Sequence, residues 1–242
     1  MDSIVLVGGK GSRLKSVLPD LPKPMASVAG RPFLEWLLFY LRSQGIKRVV
    51  LATGYKHEMI ETHFTIGSHL GLDIVYSQES IPLDTGGAVR LALEKTRGER
   101  VLVVNGDSFC PFDLEHMSRV GSNKNADGLM WLIPIEDCSR YGAVEMDNND
   151  EITAFVEKRA QPHAGLINAG VYMFSQEILR EQPLHQSLSL ERQIIPKLVG
   201  KGLFGIRGIE PFIDIGTPES LASAESFIHQ IFLEGELLLD GT

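Results

Sequence analysis

The chain has 242 residues, with 23 Lys and Arg against 31 Asp and Glu, and a formal net charge of −8. Its 43% hydrophobic and 22% charged residues are the composition of a folded soluble domain rather than a disordered segment. The acid excess excludes the broad basic face that nucleic acids and anionic lipid surfaces require. Cys110 and Cys138, the two cysteines, are too few for a disulfide framework or a thiolate zinc site. The seven histidines form no His-x-x-x-His pair, which argues against a zinc hydrolase. The longest apolar stretch, Phe33 to Leu41, falls short of the roughly 20 residues that span a bilayer, and the first apolar run is too short for a signal peptide. A cytoplasmic protein with reduced thiols and neither membrane nor nucleic acid as partner is expected.

In chain order, Ser3–Val7 is a continuous apolar run ending in Gly-Gly, the pattern of a buried parallel strand. A Gly- and Pro-rich loop leads to a helical pattern over Phe33–Arg42, entered through Pro32. Strands are predicted at Arg48–Thr53, Asp73–Tyr76 and Arg100–Asn105, with helices at Lys56–Phe64 and Gly87–Thr96 between them. Such alternation predicts an α/β fold: a Rossmann-like, mostly parallel central sheet with helices on both faces. After about residue 110 the pattern changes to short strands at Asp127–Ile133, Ala143–Met146, Ile152–Phe155 and Ile167–Phe174. Helices return at Leu190–Val199 and Pro218–Phe232. With no linker or repeat visible, one domain over residues 1–242 is expected, with a small β-rich insertion. In such a sheet the site lies beyond the carboxyl ends of the strands.

The loop after the first strand reads Gly8-Gly9-Lys10-Gly11-Ser12-Arg13-Leu14. Three glycines in four residues let backbone N–H groups turn towards an anion, and Arg13 can grip phosphate oxygens in a bidentate way. Lys10 is followed by Gly11, so this is not a Walker loop, and Leu14 breaks the dinucleotide pattern. A plain glycine turn is the alternative. Pro22-Lys23-Pro24-Met25 then holds the Lys23 ammonium on a stiff backbone. Asn105-Gly106-Asp107 puts a carboxylate at a strand end, where it either closes a turn or suits Mg²⁺, an ion that takes one or two carboxylates plus phosphate oxygens. Asp214, inside the apolar run Phe212–Ile215, is costly to bury unless it is paired or metal-bound.

The string GGKGSRLKSVLPDLPKPM, followed by GD, EK, NAG and DIGTPE in that order, closely resembles the signature of the sugar-1-phosphate nucleotidyltransferases. Those enzymes join a nucleoside triphosphate to a sugar 1-phosphate and release pyrophosphate, on a glycosyltransferase-A-like fold. The resemblance implies a nucleotide-binding half over about residues 1–110 and a sugar-phosphate-binding half over about 111–232. It implies that Arg13, Lys23 and Asp107 are catalytic, and that Asp107 and Asp214 hold one Mg²⁺. It also places Tyr141, Gly142, Glu157, Lys158 and Asn168, with Lys23, on the sugar phosphate. Each of these is ordinary alone: a Glu-Lys pair is usually solvated, and an Asn before a strand usually turns the chain.

For the nucleotide, the resemblance implies Leu6, Gly8, Gly9, Lys10, Gly11, Ser12 and Arg13 on one side, and Glu79, Thr85 and Gly86 around the base. A carboxylate at Glu79 would accept from the N1–H and exocyclic amine of guanine. The strings PLDTGGAV, RYGAV, FVEK and GLINAGVY are most similar to the D-glycero-α-D-manno-heptose 1-phosphate guanylyltransferases, which implies GTP and a heptose 1-phosphate as substrates. Asp84 departs from the glycine usual in that family, and Ser12 from the usual Thr. The alternatives are a mannose- or glucose-1-phosphate nucleotidyltransferase using GTP or UTP, and a non-catalytic sugar-nucleotide-binding regulator. Self-association stays open.

Overall fold

The computed structural model describes residues 1–14, 17–139, 141–156, 163–209 and 211–232. In chain order its elements are β1 (Asp2–Leu6), β2 (Ser27–Val28), β3 (Arg31–Pro32), α1 (Phe33–Ser43), β4 (Arg48–Thr53), α2 (His57–Phe64), β5 (Asp73–Gln78), α3 (Asp84–Ala92), β6 (Arg100–Asn105) and β7 (Ser108–Phe109). There follow α4 (Leu114–Asn123), β8 (Gly128–Ile135), β9 (Ala143–Met146), β10 (Ile152–Val156), β11 (Gly165–Ser175), α5 (Gln176–Arg180), α6 (Ile195–Leu198), β12 (Leu203–Arg207), β13 (Ile213–Asp214) and α7 (Pro218–Phe232).

One mixed sheet runs in the order β10-β9-β11-β6-β1-β4-β5, with β8 paired to β11 and β12 to β8. The four strands of the first half are mutually parallel. Their near-continuous apolar sequences follow from burial on both faces. Val5, Leu102 and Val104 point into a core shared with α1, α2, α4 and α7, while Ile4, Val101 and Val103 point into a core shared with α3, α5 and α6. The chain leaves β1 for β4 and β5 on one side and returns through α3 to β6 on the other. This reversal opens a crevice beyond the carboxyl ends of β1 and β6.

β11 joins the two halves. Its residues Val171–Ser175 pair antiparallel with β6, while Leu166 and Ile167 pair with β9. A bulge between Asn168 and Tyr172 separates these stretches, with Gly170 at φ +75°, a conformation that suits glycine.

Several boundaries differ from the sequence expectation. α3 begins at Asp84 rather than Gly87. The helix expected over Leu190–Val199 opens with a π-turn over Leu190–Ile194 before α6. Seven elements lie outside the sequence expectation: β2, β3, β7, α4, α5, β12 and β13. α4 is capped by Asp113, whose side chain accepts from the His116 N–H at 2.8 Å, a cap signal present in the sequence. β12 carries a glycine in its middle, and a Cβ at Gly205 would meet the Met146 Sδ at 2.1 Å. Tight packing therefore overrides poor strand propensity there.

Candidate active site

The crevice holds two adjoining cavities. The larger, of about 580 Å³, is lined by Leu6, Gly8, Gly9, Lys10, Glu79 and Thr85 among others, and reaches Asp107. The smaller, of about 190 Å³, lies between Gly11, Arg13, Lys23, Asp107 and Gly216. Leu6, Gly9 and Asp107 belong to both. The larger has the size of a nucleotide site, within the several hundred Å³ usual for small-molecule pockets. The smaller has the chemistry of an anion site: a guanidinium, an ammonium and glycine backbone.

Backbone pairing fixes this geometry. The Gly106 N–H donates to the Leu6 carbonyl at 2.9 Å and the Tyr55 N–H to the Gly8 carbonyl at 3.1 Å, tying the ends of β1, β4 and β6 together. A Cβ at Gly106 would lie 2.6 Å from Val7 Cγ1 and 2.7 Å from the Leu6 carbonyl oxygen, so a glycine is needed there. Gly9 has nothing within 4 Å of such a Cβ, leaving its backbone open to a ligand. Gly11 sits at φ +56° against Lys23. Ser12 contributes backbone to a short turn, but its side chain lies outside the described residues.

Lys23 is 7% exposed. Its Nζ donates to Asp107 Oδ2 at 2.7 Å and to Asp214 Oδ1 at 2.9 Å. The carboxylates, 107 residues apart in sequence, are brought together by a two-residue ribbon: β7 pairs antiparallel with β13, Asp214 opposite Ser108. The Ile215 N–H closes it on the Asp107 carbonyl at 3.0 Å. A Cβ at Gly216 would meet Asp214 Oδ1 at 2.8 Å, so a side chain there would push this carboxylate aside. Among the described residues no group of three or more His, Cys, Asp and Glu gathers to cage a metal. A carboxylate pair beside a phosphate-sized cavity is nevertheless the donor set that Mg²⁺ takes when phosphate oxygens complete its shell.

On the base side, Glu79 is half-buried. One oxygen, Oε2, accepts from the Leu83 N–H at 2.9 Å, and Oε1 would lie 2.4 Å from a Cβ at Gly54 and 3.1 Å from one at Gly8. Burial raises its pKa above the usual carboxylate value, against the pull of the Leu83 N–H, and the neighbouring charge of Asp84 pushes it the same way. Thr85 lines the cavity, yet its hydroxyl donates to Glu191 Oε2 at 2.7 Å and accepts from the Leu190 N–H at 2.8 Å. Gly86 departs from the expectation: it is not part of the lining described for the cavity. Its N–H donates to the Leu188 carbonyl at 2.7 Å, and a Cβ would strike Ile194 Cδ1 at 2.7 Å. Its glycine serves close packing against the 188–194 segment.

The sugar-side candidates are less concentrated. Tyr141 packs edge-on against Phe212 at 5.5 Å and shares a shallow cleft of about 360 Å³ with Asp214. Gly142 accepts from the Asn168 N–H at 3.2 Å through its carbonyl. The Asn168 side chain donates from Nδ2 to the Tyr172 hydroxyl at 2.6 Å and accepts from the Gly170 N–H at 3.0 Å. One Nδ2 hydrogen and one Oδ1 lone pair then remain for a ligand. Glu157 and Lys158 lie outside the described residues.

Several cavity residues lie outside the predicted site set, among them Asn105, Ile81 and Tyr55. Asn105 lines the larger cavity with Oδ1 buried and unpartnered. Its signal was a polar residue ending an apolar strand at the reversal point. Ile81 lines the same cavity at 59% exposure, an apolar surface suited to the face of a base. Tyr55 joins them from the loop after β4.

Comparison with known proteins agrees with this geometry. A D-glycero-alpha-D-manno-heptose 1-phosphate guanylyltransferase of Aneurinibacillus thermoaerophilus is 41% identical over 93% of the chain and 97% of its own length. A mannose-1-phosphate guanylyltransferase of Mycobacterium tuberculosis is 37% identical over 90% of the chain, which spans 62% of that relative. Among solved structures, HddC from Yersinia pseudotuberculosis complexed with GMP-PN superposes with a TM-score of 0.81 at 33% identity, covering 93% of this chain and 98% of that one. The family model described as nucleotidyl transferase matches residues 2–231, and the chain belongs to that family.

Proposed function

We propose that this protein transfers GMP from GTP to D-glycero-α-D-manno-heptose 1-phosphate, releasing pyrophosphate and supplying GDP-heptose for surface-polysaccharide synthesis. The observation that carries this reading is the pair of joined cavities with Asp107 at their junction, one sized for a nucleoside and one charged for phosphate. Near full-length likeness to a heptose 1-phosphate guanylyltransferase supports the choice of sugar.

The sugar phosphate is already ionised near neutral pH, so its oxygen can attack the α-phosphate of GTP in line without a general base. The protein's task is then positioning and charge neutralisation. Arg13, open to solvent at the mouth of the smaller cavity, would hold the triphosphate and the departing pyrophosphate. Lys23, and Lys158 by analogy with the family, would hold the sugar phosphate. Lys10 and the Gly8–Gly11 backbone would line the triphosphate path, and Glu79 would accept from the guanine edge. Tyr141, Gly142, Glu157 and Asn168 would face the sugar. Asp107 and Asp214 would hold Mg²⁺, which when bound supplies positive charge between two phosphates that otherwise repel. On this view residues 1–110 form the nucleotide half and 111–232 the sugar-phosphate half of one domain. No helix among the described residues is long and apolar enough to cross a membrane, in keeping with work on small solutes in the cytoplasm.

A second reading, transfer to mannose 1-phosphate, is favoured by the Mycobacterium tuberculosis relative. Pyrophosphate release decides between them, measured with Mg²⁺, each nucleoside triphosphate in turn, and heptose, mannose or glucose 1-phosphate. GTP with the heptose phosphate is expected to give the highest kcat/KM. Preference for mannose would establish the second reading, preference for UTP would remove the role given to Glu79, and no release with any pair would make the protein a binder.

A further inference from the structure

Three carboxylates line the larger cavity: Asp107 at its junction with the smaller one, and Glu79 and Asp84 away from that junction. Of the latter two, a guanine edge calls for one acceptor, and a triphosphate is repelled by the other. Taking that cavity as the nucleotide site, we propose that Arg192 is a positioning residue for the nucleotide, pairing with Asp84 so that only Glu79 is left to face the base.

Asp84 opens α3 at φ +57°, a left-handed conformation that costs a non-glycine residue and persists only when its surroundings hold it. Both of its carboxylate oxygens are engaged. Oδ1 accepts from the Thr85 N–H at 2.8 Å, and Oδ2 from Arg192 Nη2 at 2.9 Å. Glu79 has only Oε2 tied to backbone, so the two carboxylates are not equivalent towards a ligand. Arg192 itself is not among the residues lining the cavity; it reaches Asp84 from outside.

Its backbone is held in place by the fold. Arg192 lies in the π-turn Leu190–Ile194, and its N–H donates to the Ser189 hydroxyl at 3.3 Å. The same segment grips the start of α3 on several sides. The Gly86 and Gly87 N–H groups both donate to the Leu188 carbonyl, at 2.7 and 3.0 Å, and the Leu188 N–H donates to the Leu83 carbonyl at 2.9 Å. Glu191 and the Leu190 N–H hold the Thr85 hydroxyl. The rim of the cavity is therefore pinned by backbone, and the Arg192–Asp84 pair offsets the negative charge that Asp84 brings to it. Without Arg192, Asp84 stands as an uncompensated negative group on the wall that receives a polyanion.

The test is a double-mutant cycle on the full chain, with GTP and Mg²⁺ as the probe, read by calorimetric binding and by KM and kcat. Arg192→Ala is expected to weaken GTP binding and raise KM about two- to five-fold, the range of a partly exposed ion pair, with kcat nearly unchanged. The effect should shrink in high salt. Arg192→Lys, keeping the charge, should restore most of the affinity. Asp84→Gly removes the carboxylate and suits the positive φ, so Arg192→Ala in that background should change nothing further. Equal GTP affinity in wild type and Arg192→Ala would overturn the proposal. So would a loss that persists in the Asp84→Gly background, because Arg192 would then act on the nucleotide or the fold directly. Wild-type protein that binds no GTP would instead fail the functional reading above, an outcome distinct from either.

Discussion

The two halves of the molecule treat polar side chains in opposite ways. In the first half the sheet is parallel and covered by helices on both faces, so its polar groups emerge at strand ends and face a cavity: Asn105 and Asp107 after β6, Glu79 after β5 and the glycine loop after β1. In the second half, strands meet antiparallel around the β11 bulge, and polar groups are taken up in holding it. Asn168 ties Tyr172 and the Gly170 backbone, and Tyr141 packs on Phe212. In the first half a ligand group is held through one side-chain oxygen and keeps the other towards the cavity, as Asp107 does on Lys23 and Glu79 on the Leu83 N–H, whereas Asn168 is anchored at both ends of its amide. Substitutions should therefore separate cleanly, turnover failing in one half and stability in the other.

The strongest break is expected at Asp107, which belongs to both cavities and is 43% exposed at its side chain. Asp107→Ala should lower kcat by roughly 10³-fold, the scale of losing one preorganised electrostatic group at a reacting centre, and circular dichroism should show an intact fold. Near-normal turnover would end the assignment of the junction as the reacting point. Arg13→Ala should fall by about 10²-fold on the same assay, since it removes one charged donor from the phosphate cavity.

One residue earlier the comparison inverts. Gly106→Ala adds a methyl 2.6 Å from Val7 and 2.7 Å from a backbone oxygen, neither of which can swing away. It should cost about 1–3 kcal/mol in denaturant unfolding. At Gly54→Ala the three nearest atoms to the new methyl all belong to the Glu79 side chain, so it should displace Glu79 and weaken GTP binding while leaving stability within about 1 kcal/mol. Similar stability losses in both would contradict the view that the Glu79 wall is adaptable.

In the second half, Asn168→Ala strips the buried Tyr172 hydroxyl and the Gly170 N–H of their partner. Leaving such groups unpaired costs about 1–3 kcal/mol, read as a lower midpoint in urea. If Asn168→Ala unfolds at the wild-type midpoint while KM for the sugar phosphate rises, Asn168 belongs to the ligand rather than to the bulge.

What sequence alone could resolve follows the same division. The parallel strands were legible because burial on both faces writes continuous apolar runs, and the phosphate loop because glycine and arginine types are narrowly constrained. Asp107 and Asp214 were joined on one ion only through the family resemblance, and Lys23 was read as a separate motif. Their meeting on one ammonium depends on the β7–β13 ribbon, two residues long on each side, which no periodicity can reveal. Gly86 packs on the 188–194 segment, and in a sequence a glycine that admits another backbone reads the same as one that admits a ligand. Asp84 looked anomalous because its partner lies 108 positions away.

Glu79 gives the finest test, since its ionisation decides whether it can accept from both donors of the base. Burial raises its pKa, so its ionised form is disfavoured in the fold relative to the unfolded chain. The penalty is absent while the group is protonated in both states, and it grows as pH rises from the unfolded pKa through the folded one. Glu79→Gln should therefore melt above wild type at neutral pH, the gap closing as pH falls through the carboxylate range. GTP binding runs the other way, because only the ionised carboxylate accepts from both donors of the guanine edge. Wild-type affinity for GTP should rise with pH through the raised Glu79 pKa, whereas Glu79→Gln should bind about ten-fold more weakly at neutral pH and lose that pH dependence. A variant that keeps the wild-type pH profile would move base recognition off Glu79 and onto the backbone of the glycine loop, still within the first half of the chain.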